Sequence, residues 1–247
     1  MRNNLTKFDK IICMLALASL VLYGLDYLFY GRAAEIGFGF LGNLAFLPIY
    51  VLFVTLMIER ILKEREQSSI RQKLNMVIGV FFSEVGTSLL KDCFGFLRNG
   101  SELAGQVRIT PQWQNQDFAR LADLVKGYDF AFDCSSGDLD SLKHFLVARR
   151  DFLLALMGNP NLLEHDDFTD LLWSVFHLLE ELEARQVLHG LPAADLDHLA
   201  GDIRRVFGHL LRGWAVYLRH LKEDYPYLFS LAVRKNPLNP EARVEIG

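Results

Sequence analysis

Hydrophobic positions are arranged along this chain in two different ways. Up to residue 58 they run almost without interruption. Beyond it they recur every three or four residues, the spacing of one helix face. The first apolar run, Ile11 to Tyr30 (IICMLALASLVLYGLDYLFY), holds a single charge, Asp26. The second, Ile36 to Ile58, has 23 residues and no charge. At about 1.5 Å per residue it extends roughly 34 Å, more than the ~30 Å hydrocarbon core of a bilayer. The first run is too long for the apolar core of a signal peptide, and no A-x-A site follows it. The pattern predicts two transmembrane helices, 11–30 and 36–58, joined by a tight turn at about Gly31 to Glu35.

The remaining residues show no alternating β-branched run, so the predicted fold is all-α: a two-helix transmembrane hairpin followed by a cytoplasmic helical bundle. Four segments are expected: a cytoplasmic flank 1–10, the hairpin 11–58, a helical domain 59–235, and a flexible tail 236–247. No Gly or Pro interrupts Glu59 to Val77, so the second span is expected to leave the membrane as a continuous stalk, with Glu59 and Lys63 forming an i,i+4 ion pair. MVIGVFFSEVGTSLL, residues 76–90, is too short for a third span and reads as the central core helix. Residues 99–110 read as a loop. Thr110 and Pro111 then resemble an N-cap and first helical position, with the helix running to about Lys126. Asp138 is expected to cap a helix reaching about Met157. The stretch from Asp166 puts Phe168, Leu171, Leu172, Val175, Leu179 and Leu182 on one face. The last long helix, about Pro192 to Glu223, carries a seam from Leu196 to Leu221, and a short aromatic helix follows it.

Charge adds an orientation. Residues 1–73 carry nine Lys/Arg and six Asp/Glu, a net of +3, and residues 74–247 carry seventeen and twenty-four, a net of −7. Arg2, Lys7 and Lys10 precede the first span. Arg60, Lys63, Arg65, Arg71 and Lys73 follow the second, whereas the turn has only Arg32. The positive-inside rule places both termini in the cytoplasm of a multi-pass protein of the cell membrane. The acidic larger part carries no basic block, which excludes nucleic acid as a partner class. Cys13, Cys93 and Cys134 form no C-x-x-C pair and no disulfide framework.

Candidate chemistry is sparse. GFGFLG, Gly37 to Gly42, matches G-x-G-x-x-G, but no buried strand precedes it and a lipid-compatible run follows, so it is no dinucleotide site. Asp26 and Asn43 are polar residues inside the hairpin and are expected at similar depth as an interhelical pair, assisted by Arg32. Close helix packing is expected at Gly79, Ser83 and Gly86. It is also expected along the seven-residue repeat Ala194, Gly201, Gly208 and Ala215. Glu84 is the candidate buried carboxylate, with acid/base chemistry as its functional reading. His198, His209 and His220 recur three turns apart, about 16 Å, too far for one metal. HLLEE, His177 to Glu181, offers one outward-pointing His/Glu set, whereas a di-iron bundle needs several facing inward. No Walker A, G-x-S-x-G, H-E-x-x-H, kinase or EF-hand motif occurs. Neither a cofactor nor a metal is expected. The reading that follows is a membrane-anchored adaptor or regulator without enzymatic activity. Its partners are the bilayer and another protein or a second copy. The alternatives are a small pore or transporter subunit using Asp26 and Asn43, and a membrane-associated enzyme using Glu84.

Overall fold

The computed structural model describes residues 7–162, 165–239 and 242–245. The protein is all-helical, with no strand among the described residues. It divides into two compact units, Met1–Gln67 and Ser68–Gly247.

The first unit contains α1 (Lys7–Tyr30) and most of α2 (Ala33–Phe81). The turn between them is Gly31 and Arg32 alone, shorter than the five residues expected from the sequence. Gly31 has φ +64, the left-handed conformation a side chain resists, and its N–H donates to the Tyr27 carbonyl at 2.9 Å. Arg32 pairs with Glu35 at 3.0 Å instead of assisting Asp26. The Tyr23 and Phe40 rings meet edge-on with centroids 6.1 Å apart. That contact brings Tyr23 opposite Phe40, a register that does not match the expected polar pair. With Tyr23 opposite Phe40, Asp26 falls opposite Gly37, and Asn43 lies six residues further on. Six residues of helix are about 9 Å, so the two side chains make no hydrogen bond to each other. The sequence reading assigned three extra residues to the turn and so misplaced the depth of Asn43.

α2 continues through Pro48. Its most apolar eighteen-residue window has a mean hydropathy of 2.1 and none of it is buried. Among the described residues it is the one helix long and apolar enough to cross a membrane; Met14–Phe29 is a shorter apolar helix. The side chains of residues 11–13 and 30, which the expected first span includes, lie outside the described residues. The ion pair on α2 is Arg60–Glu64 at 2.9 Å, one residue beyond the expected Glu59–Lys63.

In the second unit, the end of α2 leads through one π turn, Phe82–Gly86, into α3 (Thr87–Phe94). The Thr87 N–H and hydroxyl both donate to the Phe82 carbonyl, which holds the wider turn. Ile78, Phe81, Phe82, Val85, Leu89 and Leu90 are buried, so the expected core helix is correct in place. α4 (Gly100–Gln106) occupies what the sequence suggested was a loop, because burial of Leu103 outweighs the weak helix propensity of its glycines. α5 (Asn115–Gly127) starts later than the Thr110–Pro111 signal. The Gln114 N–H donates to Asp117 Oδ2 at 2.6 Å, and the Trp113 indole donates to the Arg108 carbonyl at 3.1 Å; together they pin residues 108–114 as a turn. Asp138 does cap α6 (Leu139–Ala148), accepting from the Ser141 N–H at 2.9 Å. The helix ends at Arg149, and α7 (Arg150–Met157) buries Leu153 and Leu156 separately.

α8 (Asp166–Ala184) buries the expected stripe. α9 (Ala193–Asp224) is the central element, packed against α3, α5, α8 and α10 (Pro226–Arg234). Because it has neighbours on several sides, α9 buries Phe207, Leu211 and Leu218 in addition to its predicted seam. Asn236 to Leu238 are buried, so the chain beyond α10 begins docked, not free as expected of a tail. Residues 240, 241, 246 and 247 of that tail lie outside the described residues.

Candidate functional site

α8 and α9 are joined by residues 185–192, and their adjoining turns bring four titratable side chains together. On α8, burial of Leu178, Leu179 and Leu182 leaves His177 and Glu181, one turn apart, at the edge of the core. On α9, burial of Leu199 and Ile203 does the same for His198 and sinks Asp202 between them, 2% exposed. The four ligand-capable atoms all lie within 4.8 Å of one another. His177 Nε2 is 3.5 Å and His198 Nε2 is 3.4 Å from Asp202 Oδ2. Glu181 Oε1 is 3.9 Å from His177 Nε2, and Glu181 Oε2 is 3.6 Å from His198 Nε2.

Arginines hold the other side of each carboxylate. Arg205 Nη1 donates to Asp202 Oδ1 at 2.9 Å. Arg185 donates to Glu181 Oε2 at 2.7 Å and forms a fork on Asp195, at 3.0 and 2.6 Å. The Arg185 hydrogen bond holds the Glu181 carboxyl below its ordinary range and so keeps it ionised. Asp202 Oδ2 is buried and has no hydrogen-bond partner. Two imidazoles and two carboxylates are donor types that divalent transition metals accept.

A second arrangement is a cleft of 570 Å³, lined by the Ser83, Thr87 and Ser88 hydroxyls and by Lys91, Arg234 and Lys235. Arg234 Nε is buried there without a hydrogen-bond partner. The lining therefore combines cationic and hydroxyl groups with the aromatic rings of Phe82, Trp214 and Tyr217.

The residues singled out from sequence are scattered. Glu84 is exposed, not buried, because the π turn directs Phe82, Val85 and Gly86 inward and leaves Ser83 and Glu84 outside. Gly86 is crowded by the rings of its own turn, since a Cβ there would lie 2.6 Å from Phe82 Cδ1 and 2.7 Å from Phe81 Cε1. Gly79 meets Tyr217 at an ordinary 3.6 Å. The seven-residue repeat is no continuous groove. Ala194 is exposed and Gly201 faces open space, while Gly208 and Ala215 are buried, although a Cβ at Gly208 would meet only Arg212 of its own helix. The close approach on α9 is at Gly213, where a Cβ would lie 3.2 Å from Phe82 Cζ, a residue outside the repeat.

Of the three spaced histidines only His198 joins the cluster. His209 is half-buried beside Arg212, and burial, then the arginine charge, lowers its pKa. His220 pairs with Asp224 at 2.8 Å. Burial pushes the Cys134 thiol up to about 11 and Cys93 higher still, so neither is a reactive thiolate. The missed signal was in the sequence: His177-x-x-x-Glu181 is followed by His198-x-x-x-Asp202, the same one-turn spacing on the next helix. The outward-pointing set on α8 faces α9.

Comparison with known proteins agrees with the two-unit division. Residues 70–234 match the C-terminal helical domain of the uncharacterized protein MJ1433, and residues 3–62 match the MJ1433 N-terminal helical domain. The stretch between these matches contains the boundary between the two compact units. Uncharacterized protein MJ1433 of Methanocaldococcus jannaschii is 44% identical over 229 residues, which cover 92% of this chain and 91% of the relative. No solved structure matches. On both domains and nearly the whole length, the chain belongs to the MJ1433 family.

Proposed function

We propose that this protein is a multi-pass membrane protein in which a helical hairpin anchors a cytoplasmic helical domain that recruits or regulates a partner. One observation carries the reading: from residue 37 to 58, every side chain of α2 is exposed and none is charged. A helix apolar on all faces needs either a protein core or lipid around it, and here no protein core covers it. The basic residues that flank both spans support cytoplasmic termini. The cationic cleft beside Lys91, Arg234 and Lys235 supports a partner that brings an acidic segment, either another protein or a second copy of this chain.

The alternatives draw less support. A pore built on Asp26 and Asn43 needs the two at one depth, and the Tyr23–Phe40 register separates them. An enzyme built on Glu84 needs it enclosed, and it is exposed.

The test is made on the full chain expressed in cells. After lysis without detergent, the protein is expected in the membrane pellet, to resist alkaline carbonate, and to be released by detergent. A single reporter at either terminus is expected to be accessible only from the cytoplasmic side. Recovery in the high-speed supernatant would overturn the anchoring, and an externally accessible terminus would overturn the topology.

A further inference from the structure

We propose that His177, His198, Asp202 and Glu181 form a binding site for one divalent transition-metal ion of the zinc class, which clamps α8 to α9. The site is independent of the membrane reading.

Three observations support it. The first is the stranded acceptor. Asp202 is 2% exposed, its Oδ2 has no hydrogen-bond partner, and both imidazole Nε2 atoms face that oxygen. A buried, unsatisfied carboxylate oxygen is costly, and a cation between it and the imidazoles removes the cost. The second is distance. For metal–ligand bonds of about 2.0–2.1 Å, two ligands on a tetrahedron lie about 3.3 Å apart. The two histidine–Asp202 separations are 3.5 and 3.4 Å, and Glu181 Oε1 lies 3.9 Å from His177 Nε2. The third is charge. Asp195, Glu181 and Asp202 face Arg185 and Arg205, so with neutral imidazoles the cluster retains one negative charge.

The arginines are outer-shell partners here. Each occupies one oxygen of a carboxylate and leaves the other for the ion: Oδ2 of Asp202 and Oε1 of Glu181. With Nε2 of each histidine, this makes four protein donors of nitrogen and oxygen type, the closed set of a structural site. Hard magnesium or calcium, which prefer six or more oxygens, fit it poorly.

The experiment uses the full chain in detergent, stripped with chelator and dialysed. Zinc is titrated in competition with a chromophoric chelator. Cobalt(II) is added separately to read coordination from its visible absorption. The expected result is one zinc per chain and the intense cobalt bands of a four-coordinate ion. Both are lost in the His177→Gln/His198→Gln double variant and kept in His189→Gln, an exposed histidine that pairs with Asp140 outside the cluster. His177 and His198 are both substantially exposed, so these variants are expected to keep the wild-type helical circular dichroism. If the double variant loses that signal, the single His198→Gln variant supplies the reading. Absence of stoichiometric zinc binding in the wild type, or its retention in the variants, would overturn the site. So would the weak cobalt bands of an octahedral ion.

Discussion

At the residue scale, Gly86 and Gly201 both lie in helical backbone, yet a methyl group on each should act in opposite directions. At Gly86 the new Cβ would fall 2.6 Å from Phe82 and 2.7 Å from Phe81, two fully buried rings with nowhere to move. Gly86→Ala is expected to destabilise the second unit by about 1–3 kcal/mol, the range for an overpacked core. At Gly201 nothing lies within 4 Å. Gly201→Ala should therefore stabilise α9 by about 0.5–1 kcal/mol, through the backbone entropy that glycine loses on folding. Thermal melts of the two variants against wild type, in the same detergent, check both signs; a stabilised Gly86→Ala would disprove the packing account. Small residues were legible in the sequence, but which of them meets a neighbour was not. Gly201 fits a seven-residue repeat and touches nothing, whereas Gly213 fits no pattern and packs on Phe82. Spacing along one helix gives direction around its axis; the distance to the next helix depends on residues far away in sequence.

At the element scale, local periodicity was readable and tertiary decisions were not. The buried stripe of α8, the Asp138 cap and the limits of α9 follow from residues within a few turns of one another, and the structure agrees. α4 and the break at Arg149 depend on what Leu103, Leu153 and Leu156 pack against, which no short window contains. The junction of α8 and α9 combines both kinds of information. Arg185, mostly buried, ends α8 and places its fork on Asp195 in the first turn of α9 while also bonding Glu181. A lysine keeps the charge but presents a single ammonium in place of the planar fork. Arg185→Lys is expected to cost about 1.5–3 kcal/mol, the range of a hydrogen bond to a charged group. Hydrogen exchange should quicken at residues 181–198 and stay unchanged in α5. Equal quickening in both would mean that Arg185 supports global stability only, and that the junction is not a local clamp. The two His-x-x-x-acid sets at this junction were legible one at a time. Their convergence requires knowing that the two helices pack at these turns.

At the scale of the whole molecule, the two units place their apolar side chains in opposite environments. Buried apolar residues run from Leu74 to Leu238, all within the second unit. Apart from the partly buried Ile36, the large apolar side chains described in the first unit are exposed, with Phe29 at 80% and Phe38 at 83%. Burial of apolar surface is the main favourable term in folding, so a unit that closes its own core needs no solvent other than water. The first unit closes none, and about 25 cal/mol for each Å² of apolar surface left wet sets the penalty for water as its solvent. A fragment of residues 68–247 is therefore expected to be monodisperse without detergent and to unfold in one cooperative transition. The full chain should stay dispersed only in detergent or lipid. Leu74, the first core residue of α2, lies six residues inside the fragment, so fraying of the cut helix end does not reach the core. Size-exclusion chromatography and a thermal melt of the fragment decide the matter. Aggregation of the fragment would mean that its core depends on residues before Ser68. Full-length protein that remained dispersed without detergent would remove the reason for surrounding α2 with lipid.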